Sequence, residues 1–379
     1  MSMVLNEQQQ LLQDTVREFL NDKAPVAALR QLRDSRDATG YSKALWQELA
    51  ALGVAAIVMP EEFGGLGFGF AGLGAVLQET GRNLTASPLL ASVVLGASAI
   101  ELGGTEAQQQ TLLPAVASGE LTLALAIDEG HHFNPLHTSV SLSGAGDDQH
   151  LNGRKVFVVD GHSADKLIVV ARSSAAPGNA EGLTLVLLDR EQAGITVERT
   201  TLMDGRNAAS IEFDQVAVSA AQLLGARDQG WALLQPVLDR GAICLAAEML
   251  GGATEIFERT LEYIKEREQF DVKIGSFQAL QHRCSQMFCQ LELCRSAVLY
   301  ALSRLDKNSL DLPVQASLAK ALANDCYQLI SNEAVQMHGG MGVTDELDIG
   351  LFLKRARVSM HLLGDASYHK DRYASLLGY

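Results

Sequence analysis

The hydrophobic period of this chain switches twice, from helical to strand-like and back, and that switch limits the possible folds more than any single motif does. From about Gly230 the helical period dominates, with Ile243, Ala246, Ala247, Leu250, Ala253 and Phe257 tracing one face of a long helix. Phe277 to Leu305 reads as a second long helix and Val314 to His338 as a third. Long helices with apolar stripes bury those stripes against one another, so this part predicts a bundle that also packs against other subunits.

The middle of the chain has a different pattern. Short β-rich runs occur at Thr122–Ile127, Val156–Val159, Leu167–Ala171, Leu183–Leu188 and Ile211–Phe213. Turn-forming clusters such as Gly144–Asp148 and Ala176–Gly182 separate them. Repeated short strands between turns predict a small barrel or sandwich and not a βαβ sheet.

The first third is helical again. Asn6 suits a helix cap, with Gln9 in the capping-box position and Leu11, Leu12, Val16, Phe19 and Leu20 on one face. A second helix follows Ser42, burying Leu45, Trp46 and Leu49. Others are expected over Ala71–Gly81, Leu89–Leu102 and Glu106–Ser118, the last interrupted by Pro114. The class is therefore α+β, with expected domains at residues 1–120, 121–228 and 229–379. A chain of 379 residues exceeds what one hydrophobic core usually serves.

A formal charge of −15 excludes a nucleic-acid binder, since a phosphate backbone selects basic faces. Five cysteines without a C-x-x-C pair make a disulfide framework or a metal site unlike this sequence and favour a reducing compartment. Met1–Gln10 is polar, with no basic stretch leading into an apolar run, and no apolar stretch is long enough to span a bilayer. A cytoplasmic protein without stable membrane insertion is expected.

One motif is misleading. Gly67-Phe-Gly-Phe-Ala-Gly72 matches G-x-G-x-x-G, and Ala55–Met59 before it has the composition of a strand. A dinucleotide site needs the first glycine in the turn directly after that strand, so that the pyrophosphate meets a helix N-terminus. Here Pro60–Leu66 intervenes and brings two carboxylates, Glu61 and Glu62, to where an anion should approach. The stretch reads as a glycine-rich connection between helices.

Two segments in the last third carry chemistry. In the first, Arg267 follows a helix and can offer a forked cation to a pyrophosphate, Phe270 can cover a ring edge, and Gln278 supplies an amide. In the second, Gln336 supplies another amide, and Gly339 and Gly340 leave backbone N–H groups open to close approach. Singly, such an arginine is an ordinary C-terminal charge and such a glycine pair an ordinary helix cap. Taken together, in order, those ordinary readings lose.

The segments from Arg267 to His282 and from Gln336 to Glu346 resemble the acyl-CoA dehydrogenase family, in which R-x-x-F-G-x-x-I-x-x-F-Q and Q-x-x-G-G-x-G stretches recur. Pro60–Gly67 and Asn152–Phe157 resemble further family segments, and the order agrees over nearly the whole chain. The resemblance implies an α domain, a β domain and a C-terminal four-helix bundle. It also implies an oligomer in which the residues of the two segments contact FAD across a subunit interface, an acyl-CoA substrate and an external electron-transfer flavoprotein. Around the flavin the chain departs from the pattern. Phe157 and Val159 stand where the family has a W-x-T pair, and Asp128–Asn134 replaces a T-E-P-x-A-G-S-D strand end, placing Asp128 beside the flavin. His131 and His132 lie in that divergent loop.

The family reaction removes a proton next to the thioester carbonyl while a hydride leaves the next carbon, and it needs a carboxylate within reach of the proton. At the position where most members carry this glutamate the chain has Leu363, and at the position used by a second group it has Gly241. Three explanations stay open. Asp239 or Asp365 could substitute, although each also suits a structural role, Asp239 as a partner of Arg240 and Asp365 as a polar turn residue. A sister chain could supply the base, as in mixed assemblies whose deficient chains share a G-D-A-x-x-H stretch resembling Gly364–His369, or the chain could serve as a non-catalytic subunit completing a partner's FAD site. Finally, the chain could bind flavin and thioester for different chemistry.

Overall fold

A computed structural model describes residues 5–379. The sequence expectation for Met1–Gln10 therefore lies partly outside the described residues. By internal contacts the chain forms two compact units, one of residues 5–31, 70–85 and 242–379, the other of residues 32–69 and 86–241.

The first six helices are α1 (Glu7–Lys23), α2 (Val26–Ser35), α3 (Lys43–Ala51), α4 (Gly69–Arg82), α5 (Ser98–Gly103) and α6 (Glu106–Ala117). Asn6 and Gln9 form the expected reciprocal cap, the Asn6 side chain accepting from Gln9 N at 2.8 Å. Ser42 caps α3, with Leu45 N donating to its hydroxyl at 3.2 Å. The apolar face of α1 is narrower than the sequence suggests, for Leu11 is exposed while Gln13 is buried. Gln13 Nε2 donates to Glu79 Oε1 at 2.9 Å, and such a long-range polar pair leaves no local signature. Ala55–Met59 is no strand but a run of tight turns, and Phe70, just inside the start of α4, donates its N–H to Asp306. The G-x-G-x-x-G stretch is thus a helical connection.

In the first unit, α7 (Gly230–Glu266, entering the unit at Ala242) packs against α4, and α9 (Leu312–His338) packs with α8 (Gln278–Leu305), α10 (Ile349–His361) and α11 (Ala366–Leu376). The expected face of α7 is buried throughout, from Ile243 to Phe257. α4 and α7 approach so closely that a Cβ on Gly251 would stand 1.9 Å from the Gln78 carbonyl oxygen. Glu248 and Arg355 pair inside this unit, with Arg355 Nη2 donating to Glu248 Oε1 at 2.7 Å.

The second unit holds one sheet of eight strands. These are β1 (Leu123–Ala126), β2 (Ser141–Ala145), β3 (Asp148–Val159), β4 (Lys166–Arg172), β5 (Leu183–Asp189), β6 (Ile195–Thr201), β7 (Asn207–Val218) and β8 (Leu223–Leu224). The strand order is β6-β7-β3-β2-β4-β5-β8, with β1 pairing parallel to β4. Leu151, Val158, Leu167, Val169, Val186, Leu188, Ile211 and Phe213 share one core, so a single face of the sheet curls around them. β2 and β6 carry no uninterrupted apolar run, and the sequence reading missed both. The stretch Leu89–Ala97 is π-helical and continues into α5; its buried Ser92 accepts from Leu123 N at 2.9 Å. Among the described residues no helix is long and apolar enough to cross a membrane.

Candidate active site

In the sheet unit, the loop after β1 and the bulged end of β3 meet. The Lys155 side chain is fully buried, and its ammonium donates to the Ile127 carbonyl at 2.8 Å and to Glu129 Oε1 at 2.6 Å. Burial lowers the Lys155 ammonium to about 8, with Glu129 opposing the shift. Burial alone would raise Glu129, but Lys155 and donors from Ser139 and Val140 hold its carboxyl below the usual value. Asp128 next to it is pushed up to about 6, chiefly by burial, with Lys155 working against the shift and Glu129 adding to it. Its Oδ1 is buried with no hydrogen-bond partner among the described residues.

Asp128 is held by its backbone, its carbonyl accepting from Val156 N at 2.8 Å. Directly after that bond the β3–β7 register slips, between Lys155 and Val158, and Phe157 takes φ +53°. A phenylalanine in the left-handed region is strained, and here the bulge re-aims its ring. Arg172 of β4 ties down the rest of the loop, donating to the carbonyls of Leu136, Asn179 and Glu181 at 2.6, 2.9 and 2.7 Å. A cavity of about 260 Å³ opens there, lined by Ile127, Glu129, His132, Asn134, His137 and Ser139.

In the helical unit, Tyr263 near the end of α7 stacks on His338 at the end of α9, ring centroids 4.1 Å apart. This contact gathers the two segments singled out in the sequence. Arg267 lies one turn beyond Tyr263, and Gly339 directly follows His338. Between α7 and α8 the chain makes a hairpin of β9 (Glu268–Gln269) and β10 (Val272–Lys273), whose two turn residues, Phe270 and Asp271, have φ +56° and +60°. That turn projects Phe270 outward, 87% exposed, with its ring edge-on to Phe277 at 6.2 Å. Arg267, Gln278 and Gln336 are exposed as well. A Cβ on Gly339 or Gly340 would meet nothing within 4 Å, so the backbone there is open.

The two positions at which the base is expected, Leu363 and Gly241, differ in character. Leu363 is buried at φ +57°, followed by Gly364 at φ +103°. Fully buried Lys320 pins this turn, donating to Asn324 Oδ1 at 2.7 Å and to the Ser359 and Gly364 carbonyls at 3.1 Å. His369 Nε2 stands 2.9 Å from the Leu363 carbonyl. Asp365 is the N-cap of α11, accepting from Tyr368 N at 2.8 Å. Asp239 and Gly241 lie on α7, both buried; the neighbouring Arg240 donates to Glu101 at 2.5 Å and to Ser98 at 3.1 Å. Lys320 and Arg172 escaped the sequence reading, and Lys155 and His369 entered it only as members of the Asn152–Phe157 and Gly364–His369 segments, for a buried base is indistinguishable in sequence from a solvated one. Among the described residues no cluster could hold a metal ion, and the five cysteines are unbridged.

The helical and sheet parts together define an acyl-CoA dehydrogenase architecture. Models of the acyl-CoA dehydrogenase N-terminal, middle and C-terminal domains match residues 6–120, 127–216 and 228–376. The chain is 32% identical over 95% of its length to acyl-CoA dehydrogenase IpdE2 of Mycolicibacterium smegmatis, covering 96% of that protein. Butyryl-CoA dehydrogenase from Megasphaera elsdenii superposes with a TM-score of 0.90 at 26% identity, each chain covered completely. The ChsE4–ChsE5 complex from Mycobacterium tuberculosis contains a chain matching at a TM-score of 0.89 and 26% identity, with 100% of this chain and 99% of that one covered. This chain belongs to the acyl-CoA dehydrogenase family.

Proposed function

We propose that the chain is an FAD-dependent acyl-CoA dehydrogenase that introduces a double bond between C2 and C3 of an acyl-CoA thioester and passes the electrons to an external electron-transfer flavoprotein. The observation supporting this most is the exposed end of the helical unit, where the Tyr263–His338 stack gathers a guanidinium and a bare glycine backbone. Arg267 offers the forked donor a pyrophosphate needs, Gln278 and Gln336 offer amides, and Phe270 covers a ring edge. In the sheet unit Phe157 would stack on the flavin, and the partnerless Asp128 oxygen would meet a polar group of the cofactor. Bound FAD supplies the hydride acceptor. Because these groups are exposed in a single chain, a second chain completes the pocket and the protein works as an oligomer.

Asp239, buried on α7 two residues before Gly241, is the carboxylate proposed to take the proton, and Asp365 caps α11. One observation favours a second reading. Leu363 has no atom able to accept a proton, so the chain is alternatively a non-catalytic subunit that completes the FAD site of a sister chain. The similar ChsE4–ChsE5 structure is a complex of two named chains, which supports a mixed assembly for this chain as well. Anaerobic addition of an acyl-CoA decides between them: bleaching of the flavin by the chain alone supports the enzyme, and bleaching only with a sister chain supports the subunit.

A further inference from the structure

Asp128 stands where the family resemblance places a hydroxyl-bearing residue, and a carboxylate is a poor replacement for a hydroxyl. An ionised carboxyl only accepts hydrogen bonds, whereas a protonated one can also donate. The groups that face Asp128 are Lys155 of β3 and Glu129 of its own loop, with Arg172 of β4 acting on Lys155 from behind. Lys155 is not available to neutralise it, because the ammonium is already engaged by the Ile127 carbonyl and by Glu129. The Lys155 ammonium is thus hydrogen-bonded to the other carboxylate, although its charge still works against the rise at Asp128. Asp128 is left half-buried with an oxygen that meets no partner among the described residues.

We infer that the Asp128 carboxyl carries a proton when FAD is bound and donates it in a hydrogen bond to an acceptor atom of the isoalloxazine ring. This inference rests on the flavoprotein reading given above. Bond and charge balance, since the acid remains an acid: the proton is shared and not transferred, and binding takes up one proton from solvent wherever free Asp128 is ionised. Burial already raises the carboxyl to about 6 in the protein without ligand, so little free energy is needed to keep it protonated. A carboxylic acid held neutral by its surroundings so that it can donate has precedent as a physical device.

The test is FAD affinity against pH. The protein, in the assembly in which it takes up FAD, is stripped of flavin and titrated with FAD between pH 5.5 and 8.5 at fixed ionic strength, following flavin fluorescence and the position of the bound flavin's absorption bands. The inference predicts a dissociation constant that weakens by about tenfold per pH unit above roughly pH 6, because each unit removes the proton that binding must recover. Asp128→Asn, whose amide donates at every pH, should match the parent at pH 5.5 and show a flat profile. Asp128→Thr should also be flat, which guards against misfolding of the first variant. A flat parent profile, or a slope that survives in both variants, overturns the inference while leaving the flavoprotein reading intact. Absence of FAD uptake at any pH overturns that reading, and the inference with it.

Discussion

The ammonium of Lys320 donates to the carbonyl oxygen of Gly364 at 3.1 Å, and both lie inside the protein. This bond fixes the turn that carries Leu363, the residue proposed to stand at the family's usual base position. A buried lysine is costly unless every N–H finds an acceptor, and Lys320 finds three: Asn324 Oδ1, the Ser359 carbonyl and the Gly364 carbonyl. The turn is therefore held in place by one buried side chain.

Lys320→Met tests that role. It removes the donor from three buried acceptors and should lower stability by about 1–3 kcal/mol. The urea unfolding midpoint reports it, and a midpoint equal to that of the parent would show that the turn stands without the lysine.

His369 makes the same region sensitive to acid. Burial, helped by Lys320, pushes the ring down to about 3, against an ordinary 6.5. The unfolded chain therefore binds a proton below pH 6.5 that the folded chain refuses. Its share of stability is complete above pH 6.5 and is lost as pH falls through the window from 6.5 towards 3, by up to about 1.4 kcal/mol per pH unit. His369→Gln keeps a donor for the Leu363 carbonyl and should lose less stability than the parent between pH 7 and 5.5 in urea melts. Equal losses would assign the acid sensitivity to other groups.

Substitution separates the two candidate bases. Asp365→Asn should change stability by at most about 1 kcal/mol, since asparagine also caps helices, and should leave flavin reduction nearly unchanged. Asp239→Asn should slow reduction of the flavin by an acyl-CoA by about 100-fold or more, the range expected on losing a positioned base. Stopped-flow absorbance under anaerobic conditions measures both. Normal rates in both variants of an active homo-oligomer would remove Asp239 from the mechanism and leave the sister-chain reading.

Arg267 is exposed and bound to no core element, so Arg267→Ala should leave the melting temperature within what a surface substitution usually causes. The same change should weaken FAD binding by about 10- to 100-fold, the share expected of a charge-assisted hydrogen bond. Flavin titration beside a thermal melt checks the pair of expectations; unchanged affinity would place the pyrophosphate elsewhere.

Much of this arrangement was legible in the residues. The reciprocal cap of Asn6 and Gln9 and the buried face from Ile243 to Phe257 follow from local periodicity, which a sequence displays directly. β6 was not legible, because Ile195–Thr201 alternates with polar residues and lies at the sheet edge beside β7, contributing only partly buried side chains to the core. The exposure of Leu11 and the burial of Gln13 depend on Glu79, 66 residues away, and no local pattern encodes that distance. The same limit hid what Lys155 and Lys320 do. Their roles come from acceptors supplied by other strands and helices, while Arg267 and the Gly339–Gly340 pair were found because their segments read as units.

The visible spectrum and the mass of one purified sample report FAD content and assembly together. The account predicts a yellow protein that carries FAD and runs as an assembly larger than one chain, losing both properties together when Arg267 and the exposed Phe270 are replaced. A colourless preparation that stays a single chain and takes up no added FAD would contradict it.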